Sequence, residues 1–181
     1  MFLFDRLFGK REKPAAAEVV TASLAALPEQ IGSGHAAPGT SIHYHADLID
    51  KFTGDHYQLL QLFGETQAAA AAGDLAQAAE RLEAFRVALQ AHLLTENIRL
   101  YVYLEHALAE DVQSHALMRE FRHEMDGIGR VVVAFLGKYR ELALHPELAA
   151  EFTAELEGIG KVLVERIRRE EETLYPLYTP T

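Results

Sequence analysis

Four ionisable side chains stand where the helical pattern of this chain calls for apolar ones: His56, the pair His92 and Glu96, and Glu170. At roughly 100° per residue, His56 lies near the centre of a stripe made by Ile49, Phe52, Leu60 and Phe63. His92 and Glu96, four apart, project from the stripe that runs through Phe85 and Leu89 toward Tyr103, and Glu170 falls between Leu163, Ile167 and Leu174 with Arg166 one turn before it. An unpaired buried charge costs several kcal/mol, so these groups must meet one another, a metal ion or water. Imidazole and carboxylate without sulfur suit iron, manganese or zinc. A His-Glu pair on one helix, a His on the preceding helix and a carboxylate on a third is one way a bundle builds a non-haem metal site. The metal-free alternatives are a hydrogen-bonded His92–Glu96 pair, a neutral core histidine at 56, and a salt bridge from Arg166 to Glu170.

Helices must position these residues. No proline occurs between Ala46 and His145, and breaks fall where stop chemistry predicts, at Gly73-Asp74, around Glu110-Asp111 and at His145-Pro146. Apolar residues at three and four spacing then predict helices over 46–72, 75–109, 113–142 and 147–176. The third carries Met118, Phe121, Met125, Ile128, Val132 and Phe135, and the fourth Phe152, Leu156, Ile159, Leu163, Ile167 and Leu174. Alternation bounded by hairpin turns is absent. Short connections make sequential helices antiparallel, so the expected fold is all-α, an up-down-up-down antiparallel four-helix bundle over residues 41–181. An echo, Asp126-Gly-Ile-Gly against Glu157-Gly-Ile-Gly, places Gly129 and Gly160 at stripe margins and suggests a close approach of the third and fourth helices.

Residues 1–40 read as a flexible N-terminal tail and linker, with an apolar octet, a charged patch from Lys10 to Lys13 and Gly32, Gly34, Pro38 and Gly39. Phe2, Leu3, Phe4, Leu7 and Phe8 could form one greasy side of a short helix, a weaker case for membrane-surface or partner contact by residues 1–8. With 17 Lys and Arg against 27 Asp and Glu, the net charge of −10 disfavours nucleic acid as a partner. The absence of cysteine removes disulfides, thiolate chemistry and Cys-type zinc sites, and fits a cytoplasmic location. Neither a phosphate loop nor a Ser-His-Asp arrangement is present.

The second helix reads Ala-His92-Leu-Leu-Thr-Glu96-Asn-Ile-Arg-Leu100-Tyr101 and the fourth ends Arg166-Ile-Arg-Arg-Glu170-Glu-Glu-Thr-Leu174-Tyr175-Pro176, so a Glu precedes Leu-Tyr by four residues in both. Together with Asp55-His56 on the first helix, this resembles the hemerythrin-like HHE cation-binding family over about residues 42–178. The resemblance implies a four-helix bundle with a two-iron, oxo-bridged centre that binds or senses oxygen or nitric oxide, or supports iron repair. Two positions depart from that pattern. Arg166 stands where the family has a histidine four residues before Glu170, and the third-helix candidate, His123, is turned roughly 200° from Phe121. The expected metal residues are therefore His56, His92, Glu96 and Glu170, with His123 as an addition.

The reading that follows is a hemerythrin-like protein holding iron, mono- or dinuclear and non-haem. It would sense oxygen, nitric oxide or redox state or handle iron, and a small diatomic ligand would meet the metal. Binding rather than substrate turnover is expected, with no catalytic residues assigned. The alternative is a metal-free bundle in which Arg166 and Arg99 pair with Glu96 and Glu170. In outline that resembles the regulator-of-sigma-D anti-sigma family, and its acidic surface would bind a basic protein partner.

Overall fold

The computed structural model describes residues 36–181. Helix α1 spans Leu48–Ala71, α2 Leu75–Thr95, α3 Val102–Ala107, α4 Val112–Lys138 and α5 Ala149–Arg169. A π-helical segment, Glu96–Tyr101, joins α2 to α3 without a break, and another, Glu170–Leu174, extends α5. Each continuous rod is one helix of the bundle. The stops are those expected from the sequence: α1 ends at Ala71, the turn that follows it runs through Gly73, whose φ of 77° is left-handed, and Asp74 caps α2 by accepting from the Gln77 amide at 2.9 Å. Asp111 caps α4 through the amides of Gln113 and Ser114. Helix α4 stops at Lys138, short of the expected 142, because Tyr139 and Leu142 turn into the core, where the Tyr139 ring packs 4.9 Å from Phe152.

Cross-helix partners run in opposite directions along every neighbouring pair. Between α1 and α2, Asp55 meets His92 and Glu65 meets Arg81, so one number rises as the other falls. The same holds for His56 with Glu170 and Phe63 with Gly160, for Glu105 with His115 and Asn97 with Arg122, and for Glu124 with Arg166 and Phe135 with Phe152. The ring α1, α2–α3, α4, α5 is therefore an up-down-up-down antiparallel four-helix bundle, as the connection lengths predicted.

The apolar interior is divided in two. One cluster is built on Leu59, Phe63, Phe85, Phe135, Tyr139 and Phe152, the other on Phe52, Leu100, Tyr103, Met118, Phe121 and Leu174. Between them lies a layer of buried polar side chains. Leu60, expected in the α1 stripe, is instead 37% exposed. Gly160 also differs from expectation: it receives Phe63 of α1 rather than the third helix, and a Cβ there would stand 2.7 Å from Phe63 Cε1.

Residues 36–40, expected as linker, are docked at the end of the bundle. Ala37 is buried, its amide donates to Ile42 O at 2.8 Å, and Gly39 turns with φ 73°. Residues 1–35, with the apolar octet, lie outside the described residues. Among the described residues no helix is long and apolar enough to cross a membrane.

Candidate metal centre

Three of the four rods contribute one or two groups each to the polar layer. His56 comes from α1, His92 from α2, Glu96 from the first π turn, Arg166 from α5 and Glu170 from the second π turn, and all five are at most 4% exposed. A π turn closes i to i+5 hydrogen bonds and so widens the helix by a residue. The Tyr175 amide bonds to Glu170 O in this way. In each rod the widening brings the Glu, the Leu four residues on and the Tyr five residues on to the interior together: Glu96, Leu100 and Tyr101, and Glu170, Leu174 and Tyr175, are all buried.

Nε2 of His56 stands 3.2 Å from Glu170 Oε2 and 3.1 Å from the Tyr175 hydroxyl. Its other nitrogen, Nδ1, meets Glu171 Oε1 at 2.9 Å. His92 lies beside it, ring centroids 4.8 Å apart, with Nδ1 3.4 Å from Asp55 Oδ2 and its ring edge-on to Phe52. Each imidazole thus has one nitrogen held by an outer carboxylate and the other left for the interior, the arrangement that orients metal-bound histidines. Ligand atoms of His56, His92 and Glu170 lie within 4.8 Å of one another.

The other half of the layer is occupied by a guanidinium. Arg166 donates through Nε to Glu170 Oε1, through Nη2 to the Tyr101 hydroxyl at 2.9 Å, and through Nη1 toward Glu124 at 3.4 Å. Arg169 donates to the same Glu124 at 2.7 Å, and both guanidinium carbons sit 4.8 Å from the centre of the Phe121 ring.

Charge in this layer follows from burial and neighbours. Burial alone would lower the His56 pKa, but hydrogen bonds to Glu170 and Glu171 raise it above the usual imidazole range. His92 is pushed down to about 4 by burial and by the His56 charge, so it is neutral at pH 7. Burial, with the Glu170 charge, carries Glu96 well above the ordinary carboxylate range despite Arg166. Burial also opposes ionisation of Glu170, yet His56 and Arg166 outweigh it and hold that carboxyl below its ordinary value. Buried Tyr101 and Tyr175 are raised, chiefly by desolvation.

These residues fit one divalent cation. Two oriented imidazoles and a carboxylate converge, and Glu96 Oε1 is fully buried with no hydrogen-bond partner. The Arg166 guanidinium holds the other oxygen of Glu170 and puts a positive charge on that side of the layer. Of the residues singled out from sequence, His56, His92 and Glu170 meet and Glu96 joins their layer. His123 is exposed on α4 and stands outside the group, because its rotation from Phe121 carries it to the solvent side. Arg99 points to neither carboxylate; its Nη1 lies 3.2 Å from His45 Nε2. Sequence reasoning passed over Tyr101, Tyr175, Glu124 and Glu171, although the repeated Glu-x-x-x-Leu-Tyr already marked both tyrosines.

The family model of the hemerythrin HHE cation binding domain matches residues 47–178, a span that takes in all four helices and every residue of the polar layer. No curated protein and no solved structure matches the chain.

Proposed function

The chain belongs to the hemerythrin HHE cation-binding family, and from that premise we propose that it binds one non-haem iron through His56, His92 and Glu170 and serves in diatomic-gas or redox sensing or in iron handling. The observation that carries this reading is the pairing of each imidazole with an outer carboxylate, His56 with Glu171 and His92 with Asp55, which turns the second nitrogen of each ring toward the space beside Glu170, where that of His56 is hydrogen-bonded to Glu170 and Tyr175. An iron ion held by two imidazoles and a carboxylate supplies open positions where a small ligand can bind. Glu96, with its orphaned oxygen, is the fourth donor available as its proton leaves. Arg166 balances the charge of Glu170 and presents a cation to the same space, suited to an anionic or gas-derived ligand. None of these groups shapes a pocket for a larger substrate, which favours binding over turnover.

A second reading rests on Arg166 itself. Its bonds to Glu170, Tyr101 and Glu124 satisfy the carboxylate without any metal, as in an interaction bundle whose acidic surface binds a basic protein segment. Metal content of anaerobically purified protein from iron-replete cells, measured by mass spectrometry with absorption spectra before and after nitric oxide, separates the two. One iron per chain, lost in His56→Ala and His92→Ala, is the expected result. Metal-free wild-type protein indistinguishable from both variants would move the search to protein partners.

A further inference from the structure

The outer face of α2 carries a pattern that buried faces use. Ala84, Val87, Ala91, Leu94 and Ile98 follow one another at spacings of three, four, three and four, the a and d positions of a heptad. They point away from Leu82, Phe85, Leu89 and His92, which are buried in the bundle. Val87, Leu94 and Ile98 are 54%, 39% and 55% exposed, and among the described residues nothing covers them. The stripe runs about 21 Å at 1.5 Å per residue. Along its first half a groove of about 660 Å³ opens between α1 and α2, walled by Leu62, Ala84, Val87, Ala88 and Ala91, with Lys51 and Asp55 at the end nearer His92.

The large side chains and the groove thus occupy opposite ends of one helix, which makes the face complementary to its own reverse. A two-fold axis at Ala91 sets position 84 against 98 and 87 against 94 in an antiparallel second copy. Leu94 and Ile98 of each copy then seat over Ala84, Val87 and Ala88 of the other, large against small, and Ala91 meets itself.

Charge favours the same occupant. Each chain carries a net charge of −10, so two copies can meet only where neither presents an unpaired carboxylate. The stripe and the adjoining Ala88 and Thr95 are uncharged, and the nearest ions are paired within the chain, Glu83 with Arg86 and Lys51 with Asp55. A basic peptide would find no surplus of opposite charge there. Stripe and groove supply part of the roughly 800 Å² per partner that a stable interface buries, which suits a reversible dimer.

We infer that the outer face of α2 is an interface for a second copy of this chain, paired antiparallel about Ala91. His92 and Glu96 project inward from the same turns, so the second copy sits directly behind the polar layer, whether or not an ion is bound.

Sedimentation equilibrium of the full-length chain is expected to show a monomer–dimer equilibrium that added salt tightens, because salt screens the repulsion between acidic copies. Leu94→Glu and Ile98→Glu, at exposed positions, are expected to raise the dissociation constant about tenfold or more with helicity unchanged, and Val131→Glu, exposed on α4, to leave it unchanged. The chain has no cysteine, so single introduced thiols report the register. In a glutathione redox buffer Ala91→Cys is expected to form a disulfide-linked dimer, and Val112→Cys, 79% exposed on α4, to stay monomeric. Val87→Cys is expected to cross-link to Leu94→Cys in a mixture more readily than to itself. A monomer at every concentration, a dimer indifferent to both glutamates, or cross-linking no better at Ala91→Cys than at Val112→Cys overturns the inference. So does a monomer in which the thiol of Ala91→Cys is shielded from a thiol reagent, which would assign the stripe to another segment of the same chain.

Discussion

Nε of Arg166 is hydrogen-bonded to Oε1 of Glu170, the residue one helical turn later, in an ion pair that is almost wholly withdrawn from water. The same carboxylate offers its other oxygen to His56. Glu170 is therefore shared between an imidazole that can ligate and a cation that cannot.

Removing the guanidinium leaves a buried carboxylate short of a partner, a change that typically costs about 3–5 kcal/mol. Arg166→Leu is expected to lose stability on that scale in denaturant titrations of metal-free protein and to regain part of it with added zinc. Arg166→His is expected to raise iron content above that of wild type. Unchanged stoichiometry in the histidine variant would show that Arg166 does not set the metal number.

The folded pKa of Glu96 is raised above the unfolded one by burial and by the Glu170 charge, so over the pH range between the two the folded state holds a proton that the unfolded state releases. That difference opposes folding above the unfolded pKa and vanishes below it. Glu96→Gln, neutral at every pH, is expected to be more stable than wild type at pH 7 and equal to it near pH 4. Equal stability at both pH values would place an ionised carboxylate at position 96.

His92 behaves in the opposite sense to His56. Its folded pKa, about 4, lies below the unfolded value, so its contribution is intact above pH 6.5 and is lost as pH falls toward 4. The full loss is about 3 kcal/mol. His92→Gln is expected to lack this acid-sensitive component, so that its stability relative to wild type improves between pH 7 and pH 4.5. A constant difference would mean that His92 binds its proton equally in the folded and the unfolded chain.

Metal uptake must displace protons from this layer, since ligation requires neutral imidazole and ionised carboxylate. His56, raised above the usual imidazole value, and Glu96, raised above the usual carboxylate range, are the groups that would supply them. Calorimetry of zinc binding at pH 6.5 in buffers of differing ionisation enthalpy is expected to show net proton release, reduced in Glu96→Gln. Apparent affinity should rise with pH until His56 has titrated. Binding heats independent of buffer would count against both assignments.

The fit of Phe63 against Gly160 makes a direct packing test. Gly160→Ala would place Cβ 2.7 Å from a ring that is itself 4% exposed and hemmed in, so overpacking is expected to cost about 1–3 kcal/mol. Gly158→Ala, with open space around it, is expected to gain up to about 1 kcal/mol from helix propensity. Thermal melts of the two variants should move in opposite directions.

Much of this molecule is legible before any coordinates. Periodicity located the four rods, and Gly73, Asp74 and Asp111 marked stops because turn and cap chemistry is local. His56, His92, Glu96 and Glu170 stood out because a charged residue inside an apolar stripe conflicts with its own helix. The pairing of Arg166 with Glu170 was also within reach, being one turn apart on one helix. The tertiary structure decided the rest. A constant 100° per residue turns Tyr101 and Tyr175 away from the glutamates that precede them, whereas the π turns bring them in, and no local preference announces a π turn. Phe63 chose Gly160 from across the bundle, and Leu60 was left outside, because helix rotation is set by all neighbours at once. The separation of α4 from α5, which opens a groove behind Val131 and Val162, has the same origin: residues distant in sequence settle how closely two helices approach.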